Sequence, residues 1–286
     1  MRTPPRHWAS AEQPAHVDGR DIRLRIWGSS STSDEDARAA ARTRLQAILA
    51  AGGPGRGDAA WYYPRGPLRE ELLEEIRDGA GTLLATITRN RYGAQILSTD
   101  AVLIADVDLP VRRLPARRPE PRGSLLDRIL RRAPAQEATA RALFEEFVAA
   151  HPDLGVQVHR TRAGFRVLVT GAAAEPGGER AQQLLEELGS DPLYITLCRS
   201  DGSFRARLTP KPWRAGTAAP RVSWPARAPA EAERLRAWVQ DYERCCGPFA
   251  VTRRESAHGP APSASERQVI DLHDQLSRAD SGLPLA

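Results

Sequence analysis

The sequence VLIADVDLP, residues 102–110, is an apolar run that ends in two aspartates and a proline. The run is too short for a core helix and is rich in valine and isoleucine, so it predicts a buried β-strand. Because strand side chains alternate, we expect Asp106 and Asp108 to point to the same face. Two carboxylates held side by side repel each other, and a bound Mg²⁺ or Mn²⁺ would relieve that repulsion. The alternative is that one aspartate caps a turn and the other is solvated.

The composition is that of a globular protein with a moderately basic charge. The chain has 286 residues, of which 41% are hydrophobic and 27% charged, with a formal net charge of +5 and a pI of about 9.5. This length suits one large or two small domains. The positive charge is compatible with nucleic acid or nucleotides as partners, although it does not establish them.

No part of the sequence predicts a membrane or secreted protein. No apolar run approaches the roughly 20 residues that a membrane-spanning helix needs, and residues 1–15 lack the apolar segment of a secretory signal. The three cysteines form neither a disulfide framework nor a zinc-binding pattern. We therefore expect a cytoplasmic protein with no membrane partner. The sequence gives no indication of the oligomeric state.

Strand and helix patterns are mixed along the chain, and several strands form hairpins. We therefore predict an α+β fold with mixed, largely antiparallel sheets flanked by helices. The predicted strands lie at residues 21–27, 82–88, 94–97, 102–108, 156–159, 165–170, 194–198 and 204–208, the last two joined by a turn at Asp201-Gly202. The predicted helices lie at residues 33–51, 64–79, 124–132, 135–150, 179–188, 230–245 and 264–279.

The predicted domain organisation is a single α+β domain over residues 21–252. Residues 1–20 are polar and contain proline, so we predict a disordered N-terminal tail. Residues 110–134 are rich in arginine and proline and predict a basic insertion, which would suit a phosphate-bearing partner or be a solvated linker. Residues 253–286 are expected to form a linker, with a loop at 255–263, and a C-terminal helix.

A second informative stretch is FRARLTPKPWR, residues 204–214. If its first six residues form a strand, Arg205 and Arg207 share the face opposite to the core, where two guanidinium groups offer several donors to phosphate or carboxylate. The following loop presents Lys211, the only lysine in the chain, and Arg214. We interpret these four cations as a phosphate-binding group. The alternative is a basic edge strand whose charges oppose aggregation.

Two other stretches contribute candidate residues. RTRAGFR, residues 160–166, is a glycine-containing turn in which Arg162 and Arg166 could face a phosphate, although a plain hairpin tip is the commoner case. Asp191, followed by proline, is a possible third carboxylate, although a lone aspartate after a helix is more often a cap or turn residue. Together they extend the candidate site on both its acidic and its basic side.

Other patterns that could carry chemistry are weak or absent. His159 has no ligand pattern near it in the sequence, and His273-Asp274 lies in a helical stretch without the other histidines of a metal site. The chain contains no Walker loop, no G-x-G-x-x-G, no G-x-S-x-G and no H-E-x-x-H. A catalytic hypothesis therefore depends on the aspartates and the cations described above.

The order of these pieces resembles the catalytic module of the archaeo-eukaryotic primase superfamily, the primase-polymerases. That family has an apolar strand ending in D-x-D, a strand carrying S-x-H, a strand-associated aspartate and, in some members, an N-R-x-F-R-like stretch. Residues 103–108 resemble the first motif, residues 162–169 occupy the place of the second, Asp191 that of the third, and residues 198–205 are loosely similar to the last. The resemblance covers roughly residues 60–215 and is one of order rather than close identity.

The resemblance implies a primase-polymerase-like core with an RRM-like sheet, in which Asp106, Asp108 and Asp191 bind Mg²⁺ or Mn²⁺. It also implies that basic residues contact a triphosphate or a template. The chain departs from the family at the S-x-H histidine, where it offers Phe165 or Arg166, and it lacks the family's zinc-binding cysteines.

We therefore predict divalent-metal-dependent nucleotidyl or phosphoryl transfer on nucleic acid or nucleotides. The predicted catalytic and metal-binding residues are Asp106, Asp108 and Asp191. The predicted phosphate-binding residues are Arg162, Arg166, Arg205, Arg207, Lys211 and Arg214. Two alternatives stay open: a non-catalytic nucleic-acid-binding or interaction module with the same fold, and a metal-dependent nuclease.

Overall fold

The computed structural model describes residues 3–17, 20–51, 67–109 and 125–286, with the side chains of the helix that begins at Leu125 described from residue 135 onward. Over these residues the chain forms ten β-strands and six α-helices. The strands are β1 (His7–Val17), β2 (Arg20–Ser30), β3 (Glu71–Arg77), β4 (Leu83–Arg89), β5 (Gln95–Thr99), β6 (Leu103–Asp108), β7 (Gly155–Thr161), β8 (Gly164–Thr170), β9 (Phe204–Arg207) and β10 (Thr252–His258). The helices are α1 (Asp34–Ala50), α2 (Leu125–Ala150), α3 (Glu179–Glu187), α4 (Pro192–Asp201), α5 (Pro229–Cys246) and α6 (Ala264–Ser277).

The named strands form three sheets in which every pairing is antiparallel. One four-stranded sheet has the order β10-β7-β8-β6, the other has the order β3-β4-β5-β9, and β1 pairs with β2 alone. A single cluster of buried apolar side chains joins both four-stranded sheets to α2, α3, α4 and α6. These features confirm the predicted α+β fold with antiparallel sheets flanked by helices. No helix of the described residues has the length and apolar character needed to span a membrane.

The VLIADVD stretch forms the predicted strand, β6, which lies at the edge of the first sheet. Its apolar side chains are buried, while Asp106 is half-buried and Asp108 exposed. In the pairing with β8, Asp106 lies opposite Arg166 and Asp108 opposite Gly164. A side chain at Gly164 would place its Cβ 1.9 Å from the carbonyl oxygen of Val107, so this crossing requires glycine.

The two four-stranded sheets meet where β6 lies beside β9. The hydroxyl of Tyr194, from α4, lies 2.7 Å from the carbonyl oxygen of Ile104 on β6 and accepts the N–H of Arg205 on β9 at 3.1 Å. The guanidinium of Arg166 on β8 donates to the carbonyl oxygen of Arg207 at 2.9 Å. These bonds hold the D-x-D strand next to the arginine-bearing strand.

The prediction of a helix at residues 64–79 is wrong for the part that the structure describes. Residues 71–77 form β3, which pairs with β4, whereas residues 64–66 lie outside the described residues. The sequence LREELLEEIR consists of good helix formers, and tertiary pairing overrides that intrinsic preference. The preceding Glu70 is buried and ion-paired with Arg205 on β9, which favours the extended arrangement.

The predicted strand at residues 194–198 is also wrong, because Pro192–Asp201 form helix α4. Asp191 is the N-cap, Pro192 occupies the first turn and Gly202 ends the helix with φ of 72°. These are ordinary helix start and stop signals. The aromatic and β-branched residues at 194–196 suggested a strand, and Asp201-Gly202 is a helix end rather than a hairpin turn.

Both terminal segments take part in the sheets, unlike the prediction. His7–Val17 pair with β2 along their whole length, where we expected disorder over residues 1–20. Thr252–His258 form β10, which hydrogen-bonds to β7, so residues 253–258 extend a sheet and are not a linker or loop. The buried side chains of α6 include Val269 and Ile270, which belong to the main apolar cluster.

Only part of the predicted basic insertion at 110–134 lies among the described residues. Residues 110–124 lie outside the described residues. The backbone from Leu125 to Ala150 forms the single helix α2, where we predicted two helices at 124–132 and 135–150.

Candidate functional site

The three predicted acidic residues come together where β6 ends. The backbone N–H of Asp191 donates to the carbonyl oxygen of Asp106 at 3.0 Å, and the hydroxyl of Ser190 donates to the same oxygen at 3.0 Å. The start of α4 is therefore fixed against the strand that carries Asp106 and Asp108. The carboxylate of Asp191 also accepts the N–H of Leu193 at 3.1 Å, so it has the capping role that we gave as its alternative.

Electrostatic coupling shows that these carboxylates share one site. The pKa of Asp108 is raised, first by partial burial and then by the negative charges of Asp106 and Asp191. Lys211 and Arg207 act in the opposite direction. Asp106 and Asp191 therefore lie close enough to Asp108 to disfavour its ionisation, and a cation bound beside them would relieve this repulsion.

Three of the predicted phosphate-binding cations surround the carboxylates. Arg207 ends β9, and Lys211 and Arg214 lie at the two ends of the short 3-10 segment that follows. Burial is the largest cause lowering the pKa of each, a neighbouring cation lowers it further, and Asp106 opposes these effects. Within the described residues, none of the three has a carboxylate oxygen within 4.0 Å. Their charges therefore have no ion-pair partner among those residues.

The loop that carries Lys211 is anchored by Tyr242 of α5. The Tyr242 hydroxyl lies 2.5 Å from the carbonyl oxygen of Pro210 and 2.8 Å from Oγ1 of Thr209. Thr209 in turn accepts the N–H of Gln95 at 2.9 Å. These contacts hold the loop against β5 and fix where Lys211 emerges.

Unlike Arg207, Arg205 has its guanidinium group occupied by ion pairs and is not free to bind a phosphate. Both oxygens of Glu70 accept from its Nη2 at 2.7 Å, and Asp201 accepts from its Nη1 at 2.8 Å. Burial lowers the pKa of Arg205, but Glu70 and Asp201 outweigh burial and raise it above its usual value. The structure thus places this predicted phosphate-binding residue in a buried ion-pair network.

The three arginines of the RTRAGFR hairpin lie in three different environments. Arg160 bonds the turn itself, through the carbonyl oxygens of Thr161 at 2.7 Å and Gly164 at 2.5 Å. Arg162 is exposed at the tip and lies close enough to Arg214 for their charges to interact. Arg166 is 2% exposed, at the base of the cleft.

Sequence analysis missed a buried network behind Arg166. Its Nη1 lies 3.2 Å from Nε2 of His273, and its Nη2 lies 3.8 Å from Oδ1 of Asp106. Nδ1 of His273 and Nε2 of His159 each lie 2.8 Å from Oδ1 of Asp274. His159 and Asp274 are 115 residues apart in the chain, so no local pattern could reveal their contact.

Part of this charged group lines one cleft of about 490 Å³, whereas Asp108, Lys211 and Arg214 are not among its lining residues. This volume falls within the range of small-molecule and cofactor sites. The lining includes Asp106, Asp191, Arg166, Arg207 and Tyr92. Acidic and basic groups therefore face the same open cleft.

An aromatic pair next to the cleft was also missed. Trp213 is 53% exposed, and Tyr92 contacts it edge-on with ring centroids 5.5 Å apart. Nζ of Lys211 lies 5.7 Å from the centre of the Trp213 ring, and the Arg91 guanidinium lies 4.6 Å from that of Tyr92. The interleaving of P-W and R-Y dipeptides with cations was the available sequence signal.

The described residues contain one group of histidine, cysteine or acidic side chains whose ligand atoms all lie within 4.8 Å of one another, namely His159, His273 and Asp274. These atoms already hydrogen-bond to one another. Arg166 contacts His273, and Nη1 of Arg254 lies 3.6 Å from Oδ2 of Asp274. The ligand atoms of this group are already engaged with one another and with these arginines, so the group fits a hydrogen-bond network better than a metal site.

The aspartates have the donor chemistry that Mg²⁺ or Mn²⁺ prefers. Asp106, Asp108 and Asp191 supply only oxygen ligands, and their mutual repulsion is relieved by a cation. Their ligand atoms are not all within 4.8 Å of one another, so binding one ion requires rotation of the side chains. The residues present fit such an ion.

Comparisons with protein-family models, with curated protein sequences and with solved structures found no match to this chain.

Proposed function

We propose that this chain catalyses divalent-metal-dependent nucleotidyl or phosphoryl transfer on nucleotides or nucleic acid. The observation that carries the proposal is that Asp106, Asp191 and Arg207 line one cleft. Asp108, Lys211 and Arg214 lie close enough for their charges to interact with these residues. A phosphate-bearing substrate with a bound metal ion complements both halves, because the ion meets the carboxylates and the phosphate oxygens meet the cations. The same function is implied by the resemblance to the primase-polymerases, and the family relationship stays a prediction.

The proposed division of labour follows from side-chain chemistry. Asp106, Asp108 and Asp191 would hold the divalent ion, which orients an in-line attack and neutralises developing charge when it is bound. Arg207 is the cation best placed for phosphate oxygens, because its Nε is buried without a hydrogen-bond partner among the described residues. Lys211 adds a compact positive charge beside it.

The aromatic pair supports a substrate that carries a base. Trp213 exposes its ring beside Lys211, and Tyr92 lies both against Trp213 and in the lining of the cleft. Rings that alternate with cations provide stacking and charge together, which suits nucleotides and single-stranded nucleic acid.

A second candidate is a non-catalytic nucleic-acid-binding module with the same fold. Its support is that Asp191 caps α4 and that Arg166 lies beside Asp106, so both acids have structural contacts without a metal ion. In this case Trp213, Lys211 and Arg214 would bind nucleic acid directly.

The deciding experiment is incorporation of a labelled nucleotide onto a primed template in the presence of Mn²⁺, compared with Asp106→Asn. We expect incorporation by the natural chain and its loss in the variant. Asp153→Asn is the matched control, because Asp153 is exposed and lies before β7, at the end of the sheet away from the cleft. Incorporation that survives Asp106→Asn contradicts the proposal.

A filter-binding assay separates the second candidate from the first. Salt-sensitive retention of nucleic acid that is indifferent to EDTA and to Asp106→Asn, without incorporation, supports the binding module. Shortened products in Mg²⁺ that disappear in Asp106→Asn would instead identify a metal-dependent nuclease.

A further inference from the structure

We propose that His273 on the C-terminal helix α6 is a positioning residue that fixes the guanidinium of Arg166 between the acidic and basic halves of the cleft. The importance of the cleft rests on the proposed function, whereas the contact itself does not. His273 is fully buried and lies 107 residues from Arg166 in the chain. The inference makes α6 part of the site although none of its residues lines the cleft.

The hydrogen bonds determine which nitrogen of His273 carries the proton. A guanidinium has only donors, so Nε2 of His273, 3.2 Å from Nη1 of Arg166, must be the acceptor. The proton therefore resides on Nδ1, which donates to Oδ1 of Asp274 at 2.8 Å. His159 donates through Nε2 to the same oxygen at 2.8 Å. Asp274 thus selects the tautomer that presents a lone pair to Arg166.

Arg166 connects the buried His273 to residues on both sides of the cleft. Its Nη1 carries two hydrogens, one for His273 and one for the carbonyl oxygen of Arg207 at 2.9 Å. Its Nη2 then lies 3.8 Å from Oδ1 of Asp106. One guanidinium therefore joins α6, the strand with Arg207 and the strand with Asp106.

Removal of the His273 acceptor leaves a buried donor on Arg166 without a partner. Arg166 is 2% exposed and its Nε already has no hydrogen-bond partner among the described residues. A second unpaired donor favours movement of the guanidinium, because burying an unpaired donor costs free energy. Such movement disturbs Asp106 and the backbone of Arg207 together.

Two substitutions separate positioning from simple packing. Gln at position 273 places a carbonyl oxygen near Nε2 and keeps the acceptor for Arg166. Asn places its amide nitrogen near Nδ1, so it keeps the donor to Asp274 and loses that acceptor. A structural role limited to the hydrogen bond with the adjacent Asp274 predicts that Asn is tolerated and Gln is not. The positioning role predicts the reverse.

The measurement is hydrogen exchange of the Arg166 side-chain N–H by NMR on the full ¹⁵N-arginine-labelled chain, with Arg166→Lys to assign the signal. We expect slow exchange in the natural chain and in His273→Gln. In His273→Asn we expect exchange faster by about tenfold or more, the ratio that corresponds to about 1.4 kcal/mol. The affinities for Mn²⁺ and for tripolyphosphate should follow the same order.

The outcomes distinguish this inference from the proposed function. Similar exchange in all three chains, or fast exchange in His273→Gln with slow exchange in His273→Asn, overturns the positioning role. Exchange in the expected order in a chain that binds neither Mn²⁺ nor tripolyphosphate supports the contact and overturns the proposed function instead. The ¹⁵N shifts of His273 in the natural chain need no variant: a proton on Nδ1 supports the inference, and a proton on Nε2 overturns it.

Discussion

Arg205 and Arg207 lie two residues apart on β9, and both line the same cleft, yet their environments are opposite. The guanidinium of Arg205 is bound by Glu70 and Asp201, both partly or fully buried. The guanidinium of Arg207 has no carboxylate within 4.0 Å among the described residues, and its Nε is unpaired. One strand therefore presents a neutralised arginine and an uncompensated one.

The difference indicates that one arginine of this strand contributes to stability and the other is available for binding. A buried charge whose donors are satisfied contributes to the native structure and has little left to offer a ligand. A buried charge without partners is costly in the free protein, and the cost is recovered when an anion binds. We therefore expect substitutions of the two residues to change different properties.

The largest effect is expected on stability, from Arg205→Met. This change leaves Glu70 and Asp201 as buried carboxylates without their cation, so we expect a loss of about 3–5 kcal/mol in the free energy of unfolding. Urea denaturation measures it. Arg207→Met is the matched control and should change stability by less than about 1 kcal/mol, because it removes an unpaired charge.

The same pair has an internal check on mechanism. If the loss of stability comes from buried carboxylates without a cation, the double variant Arg205→Met, Glu70→Leu should be more stable than Arg205→Met alone. Equal losses from Arg205→Met and Arg207→Met would show that the two arginines do not differ as the structure indicates.

The next effect is expected on phosphate binding, from Arg207→Met. Loss of a charge-assisted hydrogen bond corresponds to about 1.5–3 kcal/mol, or roughly 10- to 100-fold in affinity for tripolyphosphate measured by calorimetry. Arg253→Met is the control, because Arg253 is exposed on the edge strand β10. A change of less than about twofold for Arg207→Met, or equal changes in both variants, would remove Arg207 from the phosphate site.

The smallest effect per step is the change in stability with each pH unit that His273 contributes. Burial is the main cause that lowers its pKa from 6.5 to about 4, with Arg166 and His159 adding to it and Asp274 opposing. Between these values the unfolded chain binds a proton that the folded chain does not, so stability falls as the pH drops from 6.5 toward 4. The slope from one such group is at most about 1.4 kcal/mol per pH unit.

A comparison of the natural chain with His273→Gln separates the pH dependence due to His273 from that of other titrating groups. The groups that face His273 are Arg166 on β8, His159 on β7 and Asp274 beside it, and Arg254 on β10 faces Asp274. The difference in unfolding free energy between the two chains should grow with pH from 4 to 6.5 and be constant above it. A difference that is flat over this range would show that His273 is protonated in the folded chain.

Sequence reasoning was most successful where the signal is local. The strand ending in Asp106 and Asp108 was predicted from an apolar run rich in β-branched residues. The hairpin of β7 and β8 was predicted from two strand-like runs on either side of a glycine-containing turn. It failed at β3, where good helix formers are held extended by pairing and by the Glu70–Arg205 ion pair. Intrinsic propensity contributes less than such tertiary contacts.

Site residues follow the same rule. Asp106 and Asp108 are recognisable because they lie two residues apart in one motif. Arg205 and Arg207 look alike in sequence, and the bidentate partner that distinguishes Arg205, Glu70, lies 135 residues away. His273 could not be selected, since its contacts to Arg166 and the link from Asp274 to His159 cross more than a hundred residues of chain. The metal and nucleotide assignments stay predictions that only binding and activity can test.

The most direct test of the acidic site is the affinity for Mn²⁺, measured from the free-ion signal in electron paramagnetic resonance, in the natural chain, Asp106→Asn and His159→Gln. We expect the natural chain to bind Mn²⁺, with Mg²⁺ as a competitor, and Asp106→Asn to weaken binding by about tenfold or more. His159→Gln should leave it unchanged, because the histidine network is expected to hold no ion. Binding that survives Asp106→Asn but is lost in His159→Gln would contradict a metal site at the aspartates.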